Sequence, residues 1–588
     1  MVERTGGVPL FVEELTRAVL ESGDAKLTGH EIPATLHDSL MARLDRLGPA
    51  KELIQVGAVI GSEFSYELIH AVYPIAEGDL QGALRRLTDA ELLYVRGIAP
   101  EATYQFKHAL IRDAAYEALL KSRRKELHLI VARTIDEKFP ALKEAHPEVL
   151  ARHWTEAGEI EPAITQWQTA GERAVKRRAY HEGEQHYRNA IAILQSLPES
   201  LDRDNRELPL QVALGNVMQR TRGWSAAETV EAYTRAGVVA DRSGAADSIN
   251  ILTELCRAAN LRGEPRAGLA LADQTLAIAN RNGSRPALIA AQQVEGFSRF
   301  MLGDLAVARQ LFMQVMEYFS EEDFRGEPMP DDGFYAHIFA GHTEWFLGYP
   351  ERAVRLVNEA LSIARRQNNP FLTVFALAVG SLVYELRRDY RRSFEAGDEA
   401  VRLNIVSGFP FINAMGGNRR AWARAQMGDA GGAADQIRAG LTELNSINHY
   451  ASRALALVEL AETQAVAGAY DEALVTVEQA VQTNPDELIY HPMALWLRGE
   501  LRLRADAEGE VHFDLVEQDF REAIDLSRTM QAKSLELRAT TSLARLLNTQ
   551  GRREEARTML AEIYGWFTEG FDTADLIDAK ALLDELGG

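Results

Sequence analysis

GAYDEALVTVEQAVQTNP, Gly468 to Pro485, decides the fold. A turn glycine is followed five residues on by Ala473, then seven later by Ala480, and Pro485 closes the stretch. The frame recurs through the second half of the chain. Turn positions fall at Gly263, Gly303, Gly348, Arg388, Gly428, Gly468, Val511 and Gly551, in steps of 40, 45, 40, 40, 40, 43 and 40 residues. Five residues after each turn stand Gly268, Ala308, Ala353, Ser393, Ala433, Ala473, Val516 and Ala556. Seven residues before each stand Cys256, Gly296, Gly341, Ser381, Ala421, Ala461, Arg504 and Ala544. Only the unit around Val511 breaks the pattern. There ADAEGEVHFD reads as an inserted loop, and Gly499 takes the small-residue role in place of Arg504.

Two antiparallel helices approach closely only where their facing side chains are small. One small residue on each side of a tight turn marks that crossing. Such a pair cannot bury its apolar face alone, so pairs stack. The pattern resembles the tetratricopeptide repeat, most closely at Gly468–Pro485 and at Trp167, Gly171, Tyr180, Tyr187 and Ala190. The period exceeds the usual value of about 34 residues, and a HEAT-like array, with a longer period, competes on that ground. The regular turns favour the tetratricopeptide-like reading. The fold is therefore expected to be mainly α. It is read as a small winged-helix-like module followed by an α-solenoid over residues 143–565 and a capping helix over 566–588.

Solenoids bind along the face lined by the first helix of each pair. Projecting those helices turns Phe297, Phe300, His342, Trp345, Glu385, Asn418 and Trp422 toward a groove. Aromatic anchors beside polar groups suit a protein or peptide ligand. The alternative is that they pack between neighbouring pairs.

The first 140 residues differ. VPLFVEELTRAVLESG is one amphipathic helix, IPATLHDSLMARLDRLGPAKELIQVGAVIG holds two, and EFSYELIHAVYP and EGDLQGALRRLTDAEL add two short ones. Strand-like runs follow at Leu92–Gly97 and Ala102–His108. Helices leading into a short hairpin read as a winged helix over residues 31–142. Such a module binds DNA or packs on a nucleotide-binding domain. The helix before the hairpin carries Arg85 and Arg86 but also Asp79, Asp89 and Glu91, a poor set for reading a groove.

TGGVPLFVEEL, IPATLHDSLMARLDRL, VGAVIGSEFSYELI, YQFKHALIRDAAYEALLKSRRKELH and the closing YGWFTEGFDTADLIDAKALLDEL together resemble one bacterial family. It is that of large signalling ATPases with a tetratricopeptide tail, often fused behind a class III adenylate or guanylate cyclase domain. The resemblance implies that residues 1–30 end an ATPase lid and that ATP or ADP binds in the intact parent. It also implies that Gly7 and Pro9 meet the adenine and that His108 senses the phosphates. The sequence has no G-x-x-x-x-G-K-[ST] loop, so no backbone cradle or lysine for phosphates. No cyclase metal-binding aspartates are recognisable. The chain is accordingly expected to be a non-catalytic, C-terminal portion of a longer protein, binding no cofactor itself and partnered by an upstream ATPase domain.

Composition narrows the partners. Lys plus Arg number 64 against 86 Asp plus Glu, a formal charge of −22 that repels nucleic acid. The single cysteine, Cys256, excludes an internal disulfide and fits a cytoplasmic location. The longest uncharged apolar-rich run, Phe371–Tyr384, is 14 residues, short of the roughly 20 that span a bilayer, and reads as a buried helix. In HEGEQH, His181 and His186 lie five apart, about 140° around a helix, so one zinc ion cannot take both. His337 and His342 share that spacing.

Overall fold

The computed structural model describes residues 36–244, 248–282, 285–318, 331–505 and 512–587. The expected lid segment with Gly7 and Pro9, and the turn at Val511, lie outside them. The fold is mainly α and forms two compact units, Met1–Glu199 and Ser200–Gly588.

The first unit begins with α1 (Leu36–Asp45), α2 (Ala50–Ile60), a short strand β1 (Glu63–Ser65), α3 (Tyr66–Val72) and α4 (Glu77–Asp89). Strands β2 (Leu93–Arg96) and β3 (Thr103–Phe106) follow and pair antiparallel, from Leu93 opposite Phe106 to Arg96 opposite Thr103. The sequence pattern shows these two strands but not β1, which completes a sheet of order β1-β3-β2. Phe64 explains the third strand. Its buried ring stacks on Tyr104 at 5.9 Å and meets Phe106 edge-on at 6.2 Å. Ser65 then caps α3, its Oγ accepting from the Leu68 amide at 3.1 Å. Helix α4 buries Leu80, Ala83, Leu84 and Leu87, one face at helical spacing.

Helices α5 (Ala109–Glu117), α6 (Lys121–Lys138), α7 (Pro140–Ala145), α8 (Pro147–Ala157), α9 (Ile160–Lys176) and α10 (Tyr180–Gln195) complete this unit. The α9–α10 hairpin falls within this compact unit. Its crossing is tight: a Cβ on Gly171 would stand 2.5 Å from the Tyr187 ring. Between α6 and α8 the buried rings of His128 and His153 face each other, Nδ1 to Nδ1, at 2.8 Å. The Tyr116 hydroxyl sits 3.0 Å from His128 Nε2. Burial first, and Arg152 second, push the His128 ring down to about 4 and His153 well below its usual value.

The second unit is a run of helical hairpins. After α11 (Leu201–Arg222) and α12 (Ala227–Ser243) come α13 (Ser248–Leu261) with α14 (Pro265–Asn282), and α15 (Arg285–Met301) with α16 (Leu305–Tyr318). Next are α17 (Asp331–Phe346) with α18 (Pro350–Arg366), then α19 (Pro370–Phe375) and α20 (Leu382–Leu386) with α21 (Tyr390–Ser407). Then follow α22 (Pro410–Gln426) with α23 (Ala433–Ser446), α24 (Arg453–Val466) with α25 (Tyr470–Gln482), and α26 (His491–Ala505) with α27 (Phe513–Met530). Finally α28 (Lys533–Thr549) pairs with α29 (Arg553–Tyr564), and α30 (Ala574–Gly587) closes the chain.

Each described turn position has a left-handed backbone: Gly263, Gly303, Gly348, Arg388, Gly428, Gly468 and Gly551 have φ between 60 and 101°. The residue after each donates to a carbonyl five residues back, as Asp304 does to Arg299 at 2.8 Å and Ala469 to Gln464 at 2.9 Å. This is the glycine-based helix stop that satisfies otherwise orphaned carbonyls. The small crossing residues are buried. Ala308, Ala353, Ala433, Ala473 and Ala556 are 0 % exposed. At the irregular unit Gly499 does replace Arg504: a Cβ there would sit 2.6 Å from the Phe520 ring.

One expectation is corrected. Phe371–Tyr384 is buried but is not one α-helix. A π turn, Ala376–Gly380, separates α19 from α20. Arg419 enters at that point, its Nη1 donating to the Ala378 carbonyl at 2.5 Å, and an inserted side chain is a recognised cause of a broken helical ladder.

The coil winds tightly enough to touch itself. Ser225 Oγ donates to the Ile447 carbonyl at 2.9 Å across 222 residues, and Arg266 pairs with Asp486 at 2.6 Å across 220. Glu569 accepts from the Glu351 amide at 2.9 Å across 218. The turn glycines therefore fall into two sets. Cβ atoms on Gly263, Gly303 and Gly348 would meet Asn484, Met530 and Trp566 at 2.5–2.8 Å. Nothing lies within 4 Å of the same point on Gly428, Gly468 or Gly551.

Gly468→Ala is expected to cost about 1–2 kcal/mol through backbone strain alone. Gly348→Ala should cost about 1–3 kcal/mol more, because its Cβ would press the Trp566 ring. Urea midpoints of the two variants test this, and equal losses would refute the contact between coils. In the first unit, the folded state holds His128 and His153 neutral while the unfolded chain protonates them. Stability present above pH 6.5 is thus lost as pH falls toward about 4. Peptide-resolved hydrogen exchange in urea should show α6 and α8 opening earlier across that window, and a flat midpoint would remove the pair from the account.

Candidate functional site

All seven residues expected on the groove lie on the first helices of their hairpins, and all are at most 8 % exposed. They do not share one open surface. The winding carries the inner face inward in the second unit, where five of the seven line two separate cavities. This corrects the expectation of an open groove.

The smaller cavity, about 60 Å³, is walled by Phe297, Phe300, His342, Phe339, Phe375 and Phe411. It has room for one or two waters, at about 30 Å³ each. Burial first, then Arg419, pushes the His342 ring down to about 3, so it is neutral at physiological pH. Its Nε2 has no hydrogen-bond partner. Trp345 lies elsewhere, its ring 5.5 Å below the Arg538 guanidinium and its carbonyl accepting from Ser534 Oγ at 2.6 Å. Asn418 is wedged against Gly440, where no Cβ would fit.

Glu385 and Trp422 line the larger cavity, about 230 Å³. It is built from α20, α21, α22, α24, α26, α28 and α30. Buried Glu385 pairs with buried Arg419 at 3.3 Å. Burial, and the neighbouring Glu459 carboxyl after it, push Glu385 well above the usual carboxylate range. Trp422 Nε1 donates to Glu462 Oε2 at 2.6 Å. Burial pushes Glu462 up too, with the Trp422 hydrogen bond opposing.

The opposite wall is a cross-linked set of charges. Arg538 lies between the Trp345 and Trp496 rings, at 5.5 and 5.4 Å. It donates to the Leu386 carbonyl and to Asp575 Oδ2, both at 2.7 Å. Arg388 reaches Asp578 at 2.7 Å and Asp575 at 3.4 Å. Arg388 is itself a left-handed turn residue, so among the described turns of the repeat frame the one without glycine also helps anchor α30.

Several of these residues were missed in the sequence. Glu462 was legible: it stands six before Gly468, the register of Trp422 before Gly428 and His342 before Gly348. Trp496 was hidden by the insertion in its unit, and Asp575 lies beyond the last repeat. No local signal marks Asp575 as a partner of Arg388.

Outside this interior, His108 is exposed at the start of α5, its side chain making no cap hydrogen bond. Cys256 is buried, its thiol donating to the Gly268 carbonyl at 3.0 Å and pushed up to about 12 by burial. That is a packed thiol, not a nucleophile. Among the described residues no group of three or more His, Cys, Asp or Glu is placed to hold a metal. No helix among them is long and apolar enough to cross a membrane.

No family model matches the chain. It is 27% identical over 245 residues to an uncharacterised protein of Rhizobium meliloti (strain 1021), a match covering 40% of this chain. The matched stretch is 24% of that relative, about a quarter of its length. Among solved structures, the chain is similar to a Signal Transduction ATPase with Numerous Domains with a tetratricopeptide repeat sensor, from Pyrococcus horikoshii. The TM-score is 0.43 at 13% identity, over 82% of this chain and 68% of that one. It is also similar to the Rap conjugation gene regulator of plasmid pLS20 in complex with the Phr* peptide. There the TM-score is 0.40 at 12% identity, over 56% and 91% of the two chains.

Arg538→Ala should free α30 while leaving the first unit untouched. Removing one partner from a buried charge set costs about 3–5 kcal/mol. Hydrogen exchange in residues 565–587 is expected to rise with no change over 36–196. Unchanged protection of α30 would show that Arg538 does not hold the coil closed.

Proposed function

We propose that the chain is the non-catalytic sensor and scaffold part of a signalling ATPase or nucleotide cyclase, and that it binds a protein or peptide inside its helical-repeat coil. The observation that carries the binding role is the 230 Å³ cavity. It gathers Trp422, Trp496 and Tyr390 with carboxylates and guanidiniums on walls drawn from seven helices. Such a site is built for contact: most of its charges are tethered to one another, and no nucleophile with an adjacent base is among its walls. The signalling parent is supported by the sequence resemblance at both ends of the chain. In this reading residues 31–142 are a winged-helix-like module that packs on the ATPase, residues 143–565 are the repeat array, and residues 566–588 cap it. The ATPase lid contacts assigned to Gly7, Pro9 and His108 belong to the same proposal.

The winged-helix module is not read as a DNA binder. The exposed positions of α4 include Glu77, Asp79 and Asp89 beside Arg85 and Arg86, and phosphate backbones disfavour that mixture.

The test is capture on a random peptide array, repeated with Trp422→Ala. Wild-type chain should retain a subset of peptides that the variant releases. Retention by both alike, or by neither, would defeat the binding role. In a gel shift at moderate salt the chain should leave duplex DNA unshifted, and a saturable shift would restore the regulator reading.

A further inference from the structure

Within the larger cavity one carboxylate stands apart. Asp575 and Asp578 are held by Arg388 and Arg538, and Glu385 by Arg419. Glu500 lies 3.6 Å from Arg504. Glu462 is half-buried and has no ion-pair partner among the described residues. Its Oε2 is occupied by the Trp422 indole. The Arg538 and Arg388 guanidiniums favour its charge from a distance, but a carboxylate taken partly out of water without a contacting counter-ion leaves a favourable interaction unmade.

The walls around it are aromatic. Trp422 presents its indole beside Tyr390, ring centres 5.5 Å apart. Trp496 is fixed by its Nε1 donating to Ser542 Oγ at 2.9 Å. Indole faces attract cations, and the cavity already shows it, since Arg538 lies against Trp496. The chain's formal charge of −22 adds a field that draws basic partners toward it. Arg545 lies on the exposed rim, where solvent screens its charge.

We propose that this cavity receives the basic side chain of a peptide, with Glu462 as its counter-ion and Trp422 and Trp496 as its walls. The inference rests on the peptide-binding reading above and gives that site its ligand chemistry. An ammonium or guanidinium on a three- or four-carbon stem matches the site, with stem methylenes on the indoles and the charge at Glu462 Oε1. A neutral or acidic side chain would leave Glu462 unpaired.

The experiment is a fluorescence titration of the full chain with defined probes. Acetyl-arginine amide, acetyl-norleucine amide and acetyl-glutamate amide separate charge from shape, and agmatine and a tri-arginine peptide separate a free amine from a peptide. Saturable binding is expected for acetyl-arginine amide and not for the norleucine or glutamate probes. Tri-arginine should bind at least about tenfold tighter than agmatine. Glu462→Gln keeps the acceptor for Trp422 and should weaken the arginine probes about tenfold or more with an unchanged urea midpoint. Trp496→Leu should weaken them several-fold through loss of the wall, which covers the case that Glu462→Gln misfolds. Equal binding by wild type and Glu462→Gln, or preference for the glutamate probe, would overturn the assignment. Agmatine binding as tightly as tri-arginine would overturn the peptide as occupant. If peptides on the array bind wild type and Glu462→Gln alike, the peptide reading stands and the cation assignment falls. If none binds but acetyl-arginine amide binds through Glu462, the cation site stands and the broader reading falls.

Discussion

A chain reversal on one left-handed residue is the constraint from which the second unit follows. The helix must end with its last carbonyls satisfied, and the stop at Gly303, Gly348 or Gly468 does so within the backbone. Because the reversal is so short, the next helix returns directly along the last one. The two approach closely only over small residues, mostly alanine, serine or glycine. Where one side is glycine, as at Gly171, Gly296 and Gly499, an aromatic ring from the partner helix fills the space. Local geometry is thus repeated with little variation, and repetition generates a coil.

The coil's tightness has consequences that no single hairpin contains. A turn that must reverse the chain at Gly348 must also admit Trp566 from more than 200 residues away. The inner face, in an open solenoid a solvated surface, becomes core. Charged groups on it are then carried out of water, and they persist because they meet each other. Arg419 offsets both Glu385 and Glu459, and Arg538 with Asp575 and Arg388 holds the last helix down. Such sets are fragile as individuals and durable as a whole, since removing one member strands the others. The π turn at Ala376–Gly380 belongs to the same economy, offering a main-chain carbonyl to Arg419.

The first unit is stabilised differently. Its core is an ordinary apolar one, with Phe64 bridging strand and helix, and among its buried polar groups is a pair of neutral histidines. The second unit answers to pH in both senses, because burial also pushes its own His342 and His449 rings down, to about 3 and about 4. The histidines lose stability as acid protonates them. The raised carboxyls of the coil, Glu487 at about 7 among them, lose stability as base ionises them.

The sequence by itself determined the hairpins: turn positions, crossing residues, the substitution of Gly499 for Arg504 and the β2–β3 hairpin all follow from local rules of backbone and side-chain size. Glu462 was also within reach, through the register it shares with Trp422. What only the tertiary structure decided was which hairpins meet. The pairing of Arg388 with Asp575 and Asp578, the burial of Trp345 under Arg538, and the closing of a groove into two cavities depend on the small rotation between successive pairs. That rotation is the sum of many packing contacts and leaves no mark in any one repeat. Strand β1 is the same case in miniature, since three residues pair with β3 only because Phe64 has a finished core to enter.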